Sequence, residues 1–243
     1  MVEPLFRFDG VPVAGSEVVL DGPEGHHAAS VRRMRPGEAI QLTDGRSTHS
    51  RGVVTEVAQR SLKLRIDMVE QIMHPELSFG LVQALAKGDR DELAIQAATE
   101  LGCTSITPWQ SERSISRWDE AKRIKNQERW STISSEAAKQ ALRPLFPVVR
   151  DLVTSKQLAS AMSAEIFLIL DPTASLSLAD WVAPKSGSIQ LVVGPEGGIS
   201  DHELGLFESA GAVRVHLGAG ILRTSTAGMS AIAFLAGRSG LWR

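Results

Sequence analysis

Two short glycine-containing segments near the end of the chain constrain its fold most. Leu191-Val192-Val193 runs into Gly194-Pro195-Glu196-Gly197-Gly198-Ile199-Ser200, and Val213–Leu217 runs into Gly218-Ala219-Gly220-Ile221-Leu222-Arg223-Thr224. In each, a β-type run stops at glycine and the pattern then turns helical. Two such strand–loop–helix junctions, this close together, are how α/β proteins build a ligand pocket at the ends of their strands.

The rest of the second part agrees with that class. Phe79–Leu85, Ile106–Pro108, Ile166–Leu170, Ile189–Val193 and Val213–Leu217 read as strands. Helical patterns lie between or after them: Asp89–Leu101, Asp119–Leu142, Asp201–Ala210 and Thr226–Leu235. Alternation of this kind predicts a parallel sheet with helices on its faces. In the first helix Leu93, Ala97 and Leu101 share a face, expected to be the buried one, and Gly102 is its stop. The long helix must end before Pro144. The first 70 or so residues differ: Leu5–Phe8, Val18–Leu20, Ala39–Thr43, Arg51–Val57 and Leu62–Val69 read as short strands, which together suggest a small barrel. In the last of these Leu62, Leu64 and Ile66 alternate with Lys63, Arg65 and Asp67. His74-Pro75-Glu76 is the linker candidate, so the expected domains are 1–73 and 74–243.

A chain of 243 residues has ample core for this layout. No apolar run approaches the roughly 18–20 residues of a membrane span, and the start lacks a signal-peptide layout. The single cysteine, Cys103, excludes an internal disulfide, so a reducing, cytoplasmic setting is expected, with Cys103 as a small buried residue. A net charge of −2 argues against indiscriminate polyanion binding. The N-terminal region is not basic as a whole, and Arg32, Arg33 and Arg35 are its one candidate basic patch.

The glycine segments do not fit the usual phosphate motifs: neither reads GxGxxG, and no Walker Lys-Ser/Thr follows. Ser200-x-x-Glu203 is a capping box that places the start of a helix directly after the first segment. A near-copy, Gly22-Pro23-Glu24-Gly25, shows that the tetrapeptide alone is weak; only the later one sits between an apolar strand and a capped helix. In the second segment Thr224 or Ser225 is the expected cap of the last helix. No GxSxG elbow occurs, and His26, His27, His49, His74, His202 and His216 show no ligand spacing, so no metal is expected.

In combination and order these motifs resemble the 16S ribosomal RNA uracil-N3 methyltransferases of the SPOUT class. The likeness rests on Gly194–Gly198 with Leu217-Gly-x-x-Ile221-Leu222-Arg223-Thr224, and it extends over nearly the whole chain. His27 to Met34 with Pro36-Gly37 and Leu42-x-Asp44-Gly45 resembles the family's N-terminal domain. Lys87-Gly88, Thr99-Glu100-Leu101-Gly102, Ser111-Glu112-Arg113, Trp130 and Glu136-Ala137-Ala138-Lys139-Gln140 resemble its catalytic domain. Two departures stand out. Ala141-Leu142-Arg143 replaces a common Ser-Gly-Arg, and Ser225 replaces a glutamate, which rules out an essential acid at that position.

The resemblance implies an N-terminal PUA-like β-barrel that helps hold RNA, and a C-terminal α/β domain whose parallel sheet ends in a deep trefoil knot. Sequence periodicity reveals no knot, and general topology rules argue against one. It also implies S-adenosylmethionine as cofactor, a homodimer, and 16S ribosomal RNA or the assembled small subunit as substrate, with no membrane partner. Backbone groups of Gly194, Gly198, Leu217 and Leu222 are then expected to hold the cofactor. Leu170, Pro195, Glu196, Gly197, Gly218, Ile221, Thr224 and Ala227 complete its walls. Arg143 and Arg223 become candidates for orienting the substrate, Arg143 across the dimer interface; Glu196 is either the base or a loop brace. Arg7, Arg32, Arg33, Arg35, Lys87 and Arg90 are the expected RNA contacts. Three alternatives remain at this point: a SPOUT enzyme acting on transfer RNA, a non-catalytic RNA-binding module, and a nucleotide-binding α/β enzyme unrelated to RNA.

Overall fold

The computed structural model describes residues 2–242, which divide into two compact units. The first comprises the chain up to His74 together with Ala138–Phe146; the second comprises Pro75–Ala137 and the chain from Pro147 onward.

The N-terminal unit is a five-stranded sheet. Its strands are β1 (Leu5–Arg7), β2 (Glu17–Leu20), β3 (Ala39–Thr43), β4 (Thr48–Val57) and β5 (Leu62–Gln71), in the order β1-β3-β4-β5-β2. The β1–β3 pair is parallel and the rest antiparallel. The alternation in β5 works as the sequence suggests: Leu62, Leu64 and Ile66 are fully buried with Phe6, Ile40 and Leu42, while Lys63 and Arg65 face water.

The first glycine string is not a loop. Gly22–His26 forms a short helix (α1) with proline in its first turn, and it runs on into a π-helical turn over His27–Val31. Glu24 accepts hydrogen bonds from the Arg7 amide (3.2 Å) and from Lys139 Nζ (2.5 Å). Segment 138–146 is stitched to the same unit by Thr43 Oγ1 donating to the Pro144 carbonyl (2.6 Å) and by Phe146 N donating to the Gly45 carbonyl (2.8 Å).

The second unit contains β6 (Leu77–Ala84), α2 (Arg90–Glu100), β7 (Ser105–Gln110), α3 (Glu120–Gln140), β8 (Val148–Val149), β9 (Val153–Thr154), α4 (Ser155–Ala161), β10 (Ile166–Leu170), β11 (Gly187–Val193), α5 (Asp201–Ser209), β12 (Val213–Val215) and α6 (Thr224–Arg238). Every strand pairing is parallel, in the order β12-β10-β11-β6-β7-β8 with β9 also on β7. Leu168, Leu191 and Val193 pack on one side with Ala231, Ile232 and Leu235 of α6; Ile169 and Val192 pack on the other with Leu158, Leu204 and Phe207. Strands buried on both faces explain the apolar runs. No helix among the described residues is long and apolar enough to cross a membrane.

The α2 face differs from the expected one. Leu93 is 52% exposed, whereas Ala94, Ile95 and Ala98 are completely buried. The helix packs on α6 as well as on β6, and small alanines let two helices approach closely. Gly228 lets α6 approach the sheet closely, since a Cβ there would lie 2.6 Å from Leu81 Cδ1 of β6.

Asp91, in the first turn of α2, is buried, and burial pushes its carboxyl up to about 6 although the Ala86 and Glu92 amides bond to it. The folded state therefore holds this proton to a higher pH than the unfolded chain does. The stability linked to Asp91 is present below about pH 4 and is lost as pH rises to about 6. Denaturant melts of Asp91→Asn at pH 4 and pH 7 should show a smaller decline across that window than the parent chain shows.

Candidate active site

Strand β10 lies between β11 and β12, so the chain leaves the ends of two adjacent strands in opposite directions. Such a switch point opens a crevice at the C-terminal edge of a parallel sheet. Here the crevice is a cavity of about 560 Å³. Of the expected cofactor residues, Leu170, Gly194, Pro195, Glu196, Gly198, Ile221, Leu222, Thr224 and Ala227 line it, as do Arg90 and Arg223.

Both glycine segments form its walls, and one hydroxyl joins them. Thr224 Oγ1 donates to the Gly194 carbonyl (2.8 Å) and accepts from the buried Gln83 amide (2.8 Å). The expected capping is therefore not what is found. Arg223 occupies the cap position of α6, no side chain caps that helix, and the Thr224 hydroxyl bonds to the neighbouring loop instead. Gly198 has φ +71°, a left-handed conformation that favours glycine, and a Cβ on Gly194 would lie 2.7 Å from Ile199 Cγ1.

Three expected wall residues do not reach the cavity. The Gly197 carbonyl is turned to Arg113, accepting from Nη1 at 3.1 Å. Strand β12 ends at Val215, so Leu217 lies in a loop and packs its side chain into the core. Gly218 is exposed, with its amide donating to His216 Nδ1 (3.1 Å).

Glu196 Oε1 accepts from Arg90 Nη1 (2.7 Å) and from the Lys87 amide (3.1 Å). Burial opposes its charge, but backbone amides and the Arg90 guanidinium outweigh it and hold the carboxyl below the usual carboxylate range. Arg90 is thus engaged in an ion pair, while Lys87 is exposed.

Behind the first segment is a polar anchor. Ser200 and Glu203 make the expected capping box at the start of α5. Glu203, fully buried, also accepts from the Glu112 amide (2.8 Å) and the Ser155 hydroxyl (2.6 Å). Glu112 in turn accepts from Ser200 Oγ (2.5 Å) and pairs with His202 Nδ1 (2.8 Å); these bonds hold its carboxyl low. Ser111-Glu112-Arg113 thereby fixes both the glycine loop and the helix that follows it.

Sequence reasoning overlooked Arg113, Asp171, Thr173 and Asp201 in the lining. Asp171 directly follows the expected strand Ile166–Leu170, and an acid directly beyond an apolar parallel strand stands where ligands bind. Burial raises its carboxyl, but the Thr173 amide (2.9 Å) and Arg214 Nε (2.8 Å) outweigh that and hold it low.

Arg143 belongs to the N-terminal unit, half-buried, and burial lowers its guanidinium from the usual arginine range. Arg7, Arg32, Arg33 and Arg35 are all exposed on that unit. Cys103 is buried, its Sγ 2.9 Å from the Ser105 carbonyl, and burial pushes its thiol up to about 12. Such a thiol is inert. A thiol-alkylating reagent at pH 8 should leave the folded chain unmodified and label it only in denaturant, as intact-mass measurement would show.

Residues 74–236 match the RNA methyltransferase domain family, and residues 20–67 match the RNA methyltransferase PUA domain. The chain is 39% identical over 237 residues to the ribosomal RNA small subunit methyltransferase E of Mycobacterium bovis, covering 96% of this chain and 90% of that protein. The crystal structure of the methyltransferase of that name from Neisseria gonorrhoeae, bound to S-adenosyl methionine, superposes with a TM-score of 0.88 at 30% identity over 98% of both chains. A methyltransferase from Legionella pneumophila in complex with the same cofactor superposes with a TM-score of 0.87 at 30% identity, again over 98% of both. An α/β unit with a parallel sheet, a PUA domain before it and this degree of likeness lead to one conclusion: the chain belongs to the RNA methyltransferase family that includes the small-subunit ribosomal RNA methyltransferases E.

Proposed function

We propose that this chain is an S-adenosylmethionine-dependent methyltransferase acting on N3 of a uridine in 16S ribosomal RNA. The observation that carries this reading is the cavity of about 560 Å³ built from both glycine segments and closed by the Thr224–Gly194 hydrogen bond. Its chemistry suits the cofactor. Leu170, Val193, Ile199, Leu222 and Ala227 offer apolar walls for an adenine ring, and Asp201 offers an acceptor for hydroxyl or ammonium groups. When bound, the cofactor supplies an electrophilic methyl group.

The chain's own residues must then hold the uracil in line and manage its N3 proton. Arg143 and Arg223 orient the substrate and stabilise negative charge on the uracil oxygens flanking N3. Glu196 serves as a brace, because its carboxylate is already committed to Arg90 and Lys87. Arg7, Arg32, Arg33, Arg35 and Lys87 meet RNA phosphates, while Arg90 acts through Glu196. The finer architecture belongs to the same reading: residues 1–73 as a PUA-like barrel holding RNA, residues 74–243 as a methyltransferase domain ending in a deep trefoil knot, a homodimer, and a cytoplasmic site of action on 16S RNA or the assembled small subunit. Family membership and the cofactor-bound Neisseria structure support it.

Two measurements test this. Arg143→Ala should lower turnover about 100-fold while ribosomal RNA still binds; unchanged turnover would remove Arg143 from the mechanism. Binding to ribosomal RNA should weaken steeply with salt, and Arg32→Ala with Arg35→Ala should reduce that slope by about 2. A flat salt response would remove the basic patch from the account.

A further inference from the structure

The N-terminal unit has a cavity of its own, about 350 Å³, that shares no residue with the cofactor cavity. Its wall combines β1 and the residues before it, the π-helical turn, and segment 138–146. Three unusual features converge there. π-Helical turns are rare and concentrate at functional sites, and His27, which begins this one, faces the cavity together with Arg32, the cap residue that follows it. Among the described residues only Arg33 (φ +55°) and Leu142 (φ +54°) adopt left-handed backbone without being glycine. Leu142 lines this cavity and Arg33 directly follows a lining residue. Such strain persists where the surrounding structure over-determines it, and it clusters at ligand sites. Finally, Lys139, which also lines the cavity, is buried and paired with Glu24, whose other oxygen holds the Arg7 amide. The glycine string at 22–25, without a role in the cofactor site, thus serves to fix this wall.

The side chains on offer define a ligand class. Arg32 is exposed and cationic, suited to a phosphate. His27 is half-buried, its ring set edge-on to Phe6 at 5.8 Å between centroids, which leaves an oriented imidazole for a base to stack on or bond to. Gln140 carries an amide with both donor and acceptor, suited to the edge of a base. A phosphate site, a stacking ring and an amide around one concave pocket are what recognition of an unpaired RNA base requires.

We propose that this cavity receives one single-stranded nucleotide of the substrate RNA, other than the one methylated, with its phosphate at Arg32 and its base against His27 and Gln140. The proposal rests on the reading of the chain as an enzyme of RNA. It gives the N-terminal unit a base-reading role beyond attraction of the phosphate backbone.

The test uses the full chain with histidine side-chain signals followed by NMR. A single-stranded oligoribonucleotide of roughly ten residues should move the His27 signals, and uridine 5′-monophosphate should do so only at much higher concentration. In methyl-transfer assays on ribosomal RNA, Gln140→Ala and His27→Ala should raise KM about tenfold and leave kcat within about twofold. His27 signals that stay still while the oligonucleotide binds, or an oligonucleotide that does not bind, would overturn the proposal. So would a mononucleotide that binds as tightly as the oligonucleotide, which would mark a site for free nucleotides. An unchanged KM in both variants would overturn it while leaving the methyltransferase reading intact. No methyl transfer by the parent chain, with His27 still responding to the oligonucleotide, would instead count against that reading.

Discussion

Gly194→Val should abolish S-adenosylmethionine binding at ordinary concentrations while leaving the sheet folded. Gly194 is where β11 turns into the cavity wall, and a Cβ there would sit 2.7 Å from Ile199 Cγ1 and 3.3 Å from the Ile199 nitrogen. Relief requires either shifting the loop from Gly194 to Ile199 or swinging the Ile199 side chain, and Ile199 itself lines the cavity. The Gly194 carbonyl would lose its alignment with Thr224 in the first case, and the cavity would lose volume in the second. Strain of about 2–3 kcal/mol corresponds to roughly a 100-fold loss of affinity. Calorimetric titration with the cofactor should report that loss, alongside a circular dichroism spectrum like the parent's. Full affinity in the variant would mean that the cofactor does not use this wall. Thr224→Val should act in the same direction more mildly, since it leaves the buried Gln83 amide with only the Ala84 carbonyl as acceptor.

The largest loss of stability should come from Glu203→Ala. The carboxylate is wholly buried and accepts from the Glu112 amide, the Ser155 hydroxyl and the Ser200 amide. Removing it strands several donors out of reach of water. Charged hydrogen bonds of this kind and a broken buried network are together worth about 3–5 kcal/mol. Thermal unfolding of the variant should therefore start about 10 °C lower. Glu203→Gln should fall between the two, because its amide oxygen keeps part of the acceptor set. A melting curve for the alanine variant that overlays the parent's would show that the anchor behind the glycine loop is dispensable. If the loop depends on that anchor, cofactor affinity should fall in the same variant even well below its melting point.

How much of this was legible beforehand depended on what kind of force set each feature. Ile166–Leu170 and Ala39–Thr43 have the predicted boundaries because burial of consecutive or alternating apolar residues is itself the strand signal. The start of α5 was readable from Ser200 and Glu203 alone, since a capping box is local chemistry. The same rule would have found α4, where Thr154 and Gln157 form a second capping box. Strands β8 and β9 have two residues each, too short for any period to show. Gly22-Pro23-Glu24-Gly25 is a poor helix former, and α1 exists because Glu24 finds partners far along the chain, at Arg7 and Lys139. The face of α2 was misjudged for a related reason: the choice between Leu93 and Ala94 is decided by α6, which the sequence of α2 does not contain. At the cavity the glycines and Thr224 stood out, but Arg113, Asp171 and Asp201 did not. Asp171 is there because strand order brings β10 between β11 and β12, and Arg113 because its guanidinium bonds to the Gly197 carbonyl, neither of which local sequence shows.

The proposed function requires the cavity formed by the two glycine segments to deliver a methyl group to a uridine of small-subunit RNA. Incubating the chain with S-adenosylmethionine labelled in its methyl group and 16S ribosomal RNA, free and assembled, tests this directly when the digested RNA is analysed by mass spectrometry. The account predicts label in 3-methyluridine, at one position, lost with Gly194→Val. Label confined to another nucleoside, or none in either substrate while the cofactor binds, would contradict it.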